Sequence, residues 1–472
     1  PLAEIRGSFS WARTAWHEFS HVVHLGLSHN RCPRWITEGL ATWEETERNP
    51  SWTRNMRREL LDSVGTGNLI LVRDLNRAFR GPRILFGYYQ GGLLCSMLIE
   101  EHGFAPMVGL LQAFDEGLDL DQAFERELGM TPEEVDVDFA RYAGKLVAEL
   151  AIEPRQNPRR LGRLRLSVGK ELPADPADQE AWMDDWLTIA WGYWQQGSRV
   201  DAEAALRISS KAPLDSARAL FLRAEMAVQA KDSEAAMELL LDGAAAGGRE
   251  YRALMTLARL LERDGDVEEA LLWYQEAELC FPGFDDPSFS AERSLAKLHE
   301  QAGRTVESMG AMDRWLAWNM GEYTLRVKSA LWHHAGERHE QAVRLFEEAN
   351  EVDPFRRDLH EAWGKSLLAL KRFEEAEREF SMTLAVPVNL DPDHCIFLGN
   401  PGELRPGATL GTLPSAERKR LGGPEQWRLE PVTDLQRMEL LLLQEECALA
   451  QGELERAAQL RKAADALVPN GK

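Results

Sequence analysis

The sequence has no apolar run long enough to cross a bilayer. Its most apolar stretch, Leu85 to Ile99, is short and interrupted by Gly87, Gln90, Gly91 and Gly92, whereas a spanning helix needs about 20 apolar residues. Cysteine is sparse. Cys32, Cys95, Cys280, Cys395 and Cys447 are odd in number, scattered and without C-x-x-C pairs. That pattern excludes a disulfide framework and a zinc ribbon, and leaves buried free thiols as the plain reading. Basic residues are outnumbered as well: 55 Lys and Arg stand against 77 Asp and Glu, a formal net charge of -22. This argues against nucleic acid or an anionic membrane as the main partner. Solvated acidic helix faces account for the excess, and a preference for basic segments would fit it too. Nothing at Pro1 resembles a signal peptide. The absence of an initiator Met, with His17 so near the start, implies a cut or processed chain, and leaves export and compartment open.

What is present is a chain of 472 residues, longer than one ordinary domain. Near its start stands His17-Glu18-Phe19-Ser20-His21, the pattern H-E-x-x-H, on a stretch from Trp11 to Leu27 that reads as a helix. Residues four apart on a helix lie one turn above each other. His17 and His21 can therefore aim two imidazoles at one point, with Glu18 beside them. A catalytic zinc takes three protein ligands and keeps one position open. Glu38, seventeen residues after His21 on a second amphipathic stretch, is the natural third. A turn over Ser28 to Pro33 connects the two, with Pro33 suited to a helix start.

H-E-x-x-H followed by Trp35-Ile36-Thr37-Glu38-Gly39-Leu40-Ala41 resembles the gluzincin metallopeptidases, the group that contains thermolysin and the zinc aminopeptidases. The likeness is greatest to peptidase-MA-like domains fused to tetratricopeptide repeats. It implies that His17, His21 and Glu38 hold Zn2+, and that Glu18 takes a proton from the zinc-bound water as it attacks a scissile carbonyl. The metzincin pattern would need Gly at position 24 and His at position 27, where this chain has His24 and Leu27. Gluzincins place a β-sheet before the zinc helix, and it has no counterpart in this sequence. Thermolysin-like members place an aspartate four residues after the glutamate ligand, where Thr42 stands here. In zinc aminopeptidases a Y-x-K-G stretch supplies a tyrosine to the oxyanion. Tyr88-Tyr89-Gln90-Gly91 resembles it with Gln for Lys, which makes Tyr88 the candidate and Tyr89 the runner-up. An aromatic anchor of a core helix is the competing account.

Several neighbours invite a role. His24 is a further ligand by spacing, or a histidine packed behind the site. Phe19, Val22 and Val23 are available to pack around the ligands. Glu44 and Glu45 are candidates to hold a zinc histidine's second nitrogen. Beyond, Thr131 and Pro132 read as the cap and first residue of a helix.

From Trp182 the chain repeats itself. Turn positions recur at Gly197, Lys231, Gly265, Gly303, Gly336 and Lys371, 33 to 38 residues apart, and again at Gly452. Small residues follow each turn at Ala236, Ala270, Ser308, Ala342, Ala376 and Ala457. That is the build of tetratricopeptide repeats: paired antiparallel helices with small residues where they approach. Between Pro387 and Pro431 the period breaks in a Pro- and Gly-rich insertion with Cys395, Phe397, a basic Arg418-Lys419-Arg420, and the cluster Asp391, Asp393 and His394.

The expected fold is predominantly all-α. Residues 1–152 form the helical catalytic half of a gluzincin, thermolysin-like metallopeptidase and 153–181 a linker. Residues 182–386 form a tetratricopeptide α-solenoid, 387–431 the insertion and 432–472 a terminal helix pair. The expected function is a zinc-dependent peptidase, an endopeptidase rather than an aminopeptidase. Its partners are a peptide or protein substrate and a protein bound by the solenoid, with no nucleic acid. The alternative is an inactive scaffold that retains a vestigial or structural zinc site.

Overall fold

The two motifs lie on two successive helices, α1 (Trp11–Ser28) and α2 (Arg34–Arg48). In the computed structural model, which describes residues 10–386 and 432–467, the turn between them uses left-handed backbone at His29 and Asn30. Pro33 stands at the N-cap of α2. Its fixed φ and missing N–H suit a helix entry, where that donor would have no intrahelical partner.

Five short elements complete the core around α2. They are α3 (Arg57–Thr66), α4 (Leu75–Ala78), α6 (Ala105–Asp115), α7 (Leu120–Leu128) and α8 (Pro132–Val147). The longest helix of this part, α5 (Ile84–His102), packs across α2. The crossing is made by glycine. A Cβ on Gly39 would lie 2.7 Å from the Gly91 carbonyl oxygen and 2.9 Å from Cys95 Sγ, and one on Gly92 would lie 2.8 Å from Thr42 Cγ2. The glycine of the Glu38-Gly39-Leu40-Ala41 motif is thus a contact of backbone on backbone. Trp35, Ile36 and Leu40 from α2 and Phe86, Leu94 and Leu98 from α5 seal its flanks. Gly39→Val is expected to destabilise this unit by about 1–3 kcal/mol through overpacking. The readout is a lower urea midpoint at unchanged slope; an unchanged midpoint would show that α2 and α5 do not approach this closely.

Thr131 caps α8 in a reciprocal capping box with Glu134, and Pro132 takes the first helical position, which satisfies two donors that a bare helix start leaves open. The stretch read as a linker holds a helix, α9 (Pro158–Ser167), capped by Asn157. Paired helices follow: α10 (Pro176–Gln195) with α11 (Arg199–Ser209), α12 (Ala217–Gln229) with α13 (Ser233–Ala245), α14 (Tyr251–Asp264) with α15 (Val267–Cys280), and α16 (Ala291–Gln301) with α17 (Thr305–Leu316). All of these lie in one compact unit, residues 16–319.

The second unit joins the described residues from 320 onward with residues 10–15. Its described helices are α18 (Tyr323–Ala335), α19 (His339–Asn350), α20 (Arg357–Ala369), α21 (Phe373–Ala385), α22 (Asp434–Ala450) and α23 (Leu454–Asp465). Phe346 and Leu359 lie in one of its apolar clusters, and Leu367, Phe380 and Leu440 in another. The insertion 387–431, with Cys395, Phe397, Arg418-Lys419-Arg420 and the Asp391, Asp393 and His394 cluster, lies outside the described residues.

The repeat signature has a direct physical basis. The turn residues Gly197, Lys231, Gly265, Gly303, Lys371 and Gly452 all adopt positive φ. At the remaining turn the left-handed residue is Glu337 (φ 58) rather than Gly336, one place later than the period implies. The small residues after the turns, Ala236, Ala270, Ala342 and Ala376, are fully buried where paired helices meet. Among the described residues there is no strand, and no helix is long and apolar enough to cross a membrane.

Candidate metal centre

α1 sets His17 and His21 one turn apart, with their Nε2 atoms 3.1 Å from each other. α2 brings Glu38 to both, its Oε2 lying 3.2 Å from each Nε2. Three donor atoms therefore form a nearly equilateral triangle. Ligands around a tetrahedral zinc, with bonds of about 2.0–2.1 Å, stand roughly 3.3 Å apart. Donor chemistry and spacing both fit zinc. Among the described residues no other group of His, Cys, Asp and Glu converges in this way.

The surroundings favour a cation at that point. Burial opposes the charge on Glu38, but hydrogen bonds from His17, His21 and Arg34 outweigh it and hold the carboxyl well below the usual range. Burial likewise opposes charge on His17, while Glu38 and Glu45 together raise its pKa to about 9.

Glu45, rather than Glu44, supplies the outer contact: its Oε1 lies 2.9 Å from His17 Nδ1. That bond fixes the ring so that Nε2 presents its lone pair to the centre. Thr42, where thermolysin-like proteins have aspartate, instead donates its hydroxyl to the Glu38 carbonyl, 2.8 Å away. His21 Nδ1 is buried without a hydrogen-bond partner. Glu45→Ala is expected to weaken zinc binding by about 10–100-fold, measured by competition with a chromophoric chelator; an unchanged affinity would remove Glu45 from the site.

Glu18 is exposed on α1, next in sequence to His17. Tyr88 borders the centre, with its ring centroid 6.2 Å from that of His17 and its hydroxyl 3.3 Å from an Arg34 nitrogen. Tyr89 is 7% exposed and turned into the core beside Phe86. One residue is about 100° of helix rotation, which is why neighbouring tyrosines face different surroundings. Gln90, where the aminopeptidase stretch has lysine, is buried and bonds the Ile70 backbone through both ends of its amide (3.0 and 2.6 Å).

His24 stands outside the converging group. It is hydrogen-bonded to the Thr37 backbone, and burial, aided by His21, lowers its pKa to about 4, so it is neutral. Phe19, Val22 and Val23 do not pack around the ligands; they are 63%, 69% and 47% exposed. The reason is angular: His17 and His21 define the packed face of α1, and these three fall on the opposite one. Arg34 went unnoticed in the sequence, although it lies one turn before Glu38 on α2 and bonds its Oε1 at 2.9 Å. That i, i+4 spacing was the available signal.

Residues 187–249 and 240–283 match a tetratricopeptide repeat family model. This part of the chain consists of tetratricopeptide repeats. The match does not include the residues of the converging group. Solved structures similar to the chain include MamA AMB-1, 14% identical over 47% of this chain and 93% of that one, with a TM-score of 0.26. Another is a tetratricopeptide repeat protein from Parabacteroides merdae ATCC 43184, 16% identical over 61% and 94%, with a TM-score of 0.27. A third is pilF of Pseudomonas aeruginosa, 14% identical over 62% and 95%, with a TM-score of 0.20. Among curated proteins no relative matches the sequence.

Proposed function

We propose that the protein is a zinc-dependent endopeptidase whose repeats bind a protein or peptide partner. The observation that carries the peptidase half is the set of three donor atoms, His17 Nε2, His21 Nε2 and Glu38 Oε2, at mutual distances of 3.1–3.2 Å. These residues would hold the ion. Zinc, when bound, supplies Lewis-acid polarisation of a water and of a scissile carbonyl. Glu18 is the base: its carboxylate takes a proton from the attacking water and later gives it to the departing amine. The Tyr88 hydroxyl donates a hydrogen bond to the carbonyl oxygen as negative charge develops there. Arg34 bonds both Glu38 and Tyr88 and so orients one against the other.

The second reading is a protein-binding scaffold in which the metal has a structural role. The repeat match favours it, because 187–283 is the stretch with a family assignment and stacked repeats offer an extended surface to a partner. One experiment separates the two: metal content of the purified full chain by mass spectrometry, followed by hydrolysis of a quenched fluorescent peptide mixture by the zinc-loaded chain. About one zinc per chain with hydrolysis supports the peptidase. Zinc without hydrolysis supports the scaffold, and no zinc after metal-replete purification overturns the metal centre.

A further inference from the structure

Residues Ala151–Gln156 run without helix between α3 and three consecutive repeats, and their backbone is bonded at nearly every step; from α3, Arg58 donates to the Glu153 carbonyl (2.8 Å) and Asp62 accepts from Arg155 N (2.8 Å). Ala151 N donates to the Cys280 carbonyl (2.9 Å), and its own carbonyl accepts from Tyr251 N (2.7 Å). Glu153 N donates to Glu250 Oε1 at 3.1 Å. The side-chain amide of Gln195 then grips the next stretch from both ends, donating to the Pro154 carbonyl (3.0 Å) and accepting from Gln156 N (2.9 Å). A buried charged side chain is read as well. The Glu153 carboxylate, 8% exposed, is bound by the Arg218 fork on α12, with Nε at 2.9 Å from Oε2 and the second nitrogen on Oε1. Ile152 is buried beside it.

Main-chain bonds at successive residues, one buried apolar side chain and one bidentate carboxylate are the contacts by which a receptor holds an extended peptide. Ile152 belongs to the apolar core of this unit, yet the run does not fill the space beside it. A cavity of about 340 Å³ remains between this run and Trp191, Phe221 and Arg249, so the site is wider than its occupant. We propose that repeats α10–α15, with α3 along one side, form a recognition site for an extended apolar–Glu–Pro peptide, and that the chain's own Ile152-Glu153-Pro154 fills it. The site rests on α3 and the repeats and involves none of the residues His17, His21 and Glu38. An outside peptide of the same pattern meets a tethered competitor whose effective concentration is of millimolar order, so micromolar ligand does not enter the wild-type site.

The test uses the full chain and a fluorescein-labelled peptide of residues 149–158. Wild type is expected to bind it negligibly. Glu153→Ala, which weakens the tethered segment, should bind it at least about thirtyfold more tightly than wild type, and adding Arg218→Ala to that chain should return binding to the wild-type level. A folded Glu153→Ala chain that binds no better than wild type, or whose binding survives Arg218→Ala, overturns the proposal. If Glu153→Ala does not fold, hydrogen exchange of the wild type and of Arg218→Ala decides. Ala151 and Glu153 amides that lose protection in Arg218→Ala while those of α10 and α14 keep theirs support the proposal, and protection unchanged by Arg218→Ala overturns it.

Discussion

Glu18→Gln is expected to retain zinc and to lower peptide hydrolysis by about 10²–10⁴-fold, the range in which a positioned general base contributes. The substitution keeps the side chain's size and removes only its ability to take a proton. Glu18 is exposed and stands outside the group His17, His21 and Glu38, so no donor to the metal is lost. Metal content and hydrolysis must therefore separate in this variant. Equal loss of both would mean that Glu18 supports the site's structure. Hydrolysis at the wild-type rate would assign the base elsewhere, or the activity to a contaminant.

His21→Ala should remove the metal itself. Closed zinc sites are worth about 10–16 kcal/mol, so each of four ligands contributes roughly 2.5–4 kcal/mol, or about two to three orders of magnitude in affinity. His21 is the ligand to test because nothing else holds it: its Nε2 faces the centre and its Nδ1 has no partner. Removing it leaves Glu45 on His17 and Arg34 on Glu38 in place, so the fold should persist and zinc content fall from about one per chain to trace levels. Undiminished zinc in a folded His21→Ala chain would move the metal to other residues.

The parts of the site that sequence made legible were those fixed by helical period. His17 and His21 are one turn apart on any helix, and Glu38 followed because a short turn sends the next helix back alongside. Tyr88 against Tyr89 was a choice between adjacent residues, which only the direction of α5 across α2 separates. Phe19, Val22 and Val23 were read inward because apolar residues usually are, yet exposure of single apolar side chains is common. The repeats were visible through their turns, where left-handed backbone recurs, with the shift from Gly336 to Glu337 set by local geometry. Ala151–Gln156 was illegible for the opposite reason. Pro154 and Pro158 announce extended backbone, and sequence has no sign for whether such backbone is solvated or bound. Its partners, among them Arg58, Asp62, Gln195, Arg218, Glu250 and Cys280, are spread over a long stretch of chain.

The glycine contact between α2 and α5 bears on how the centre would tolerate change. Where two helices are spaced by interlocking side chains, their separation follows rotamer choice and drifts with temperature or with each neighbouring substitution. Gly39 and Gly91 leave nothing to re-orient, since Gly91 O lies 2.7 Å from where a Gly39 Cβ would be. The backbone that carries Glu38 is therefore placed by a main-chain contact, and its carboxylate by Arg34, His17 and His21, so a change of rotamer among the apolar residues on the flanks does not by itself shift the third ligand.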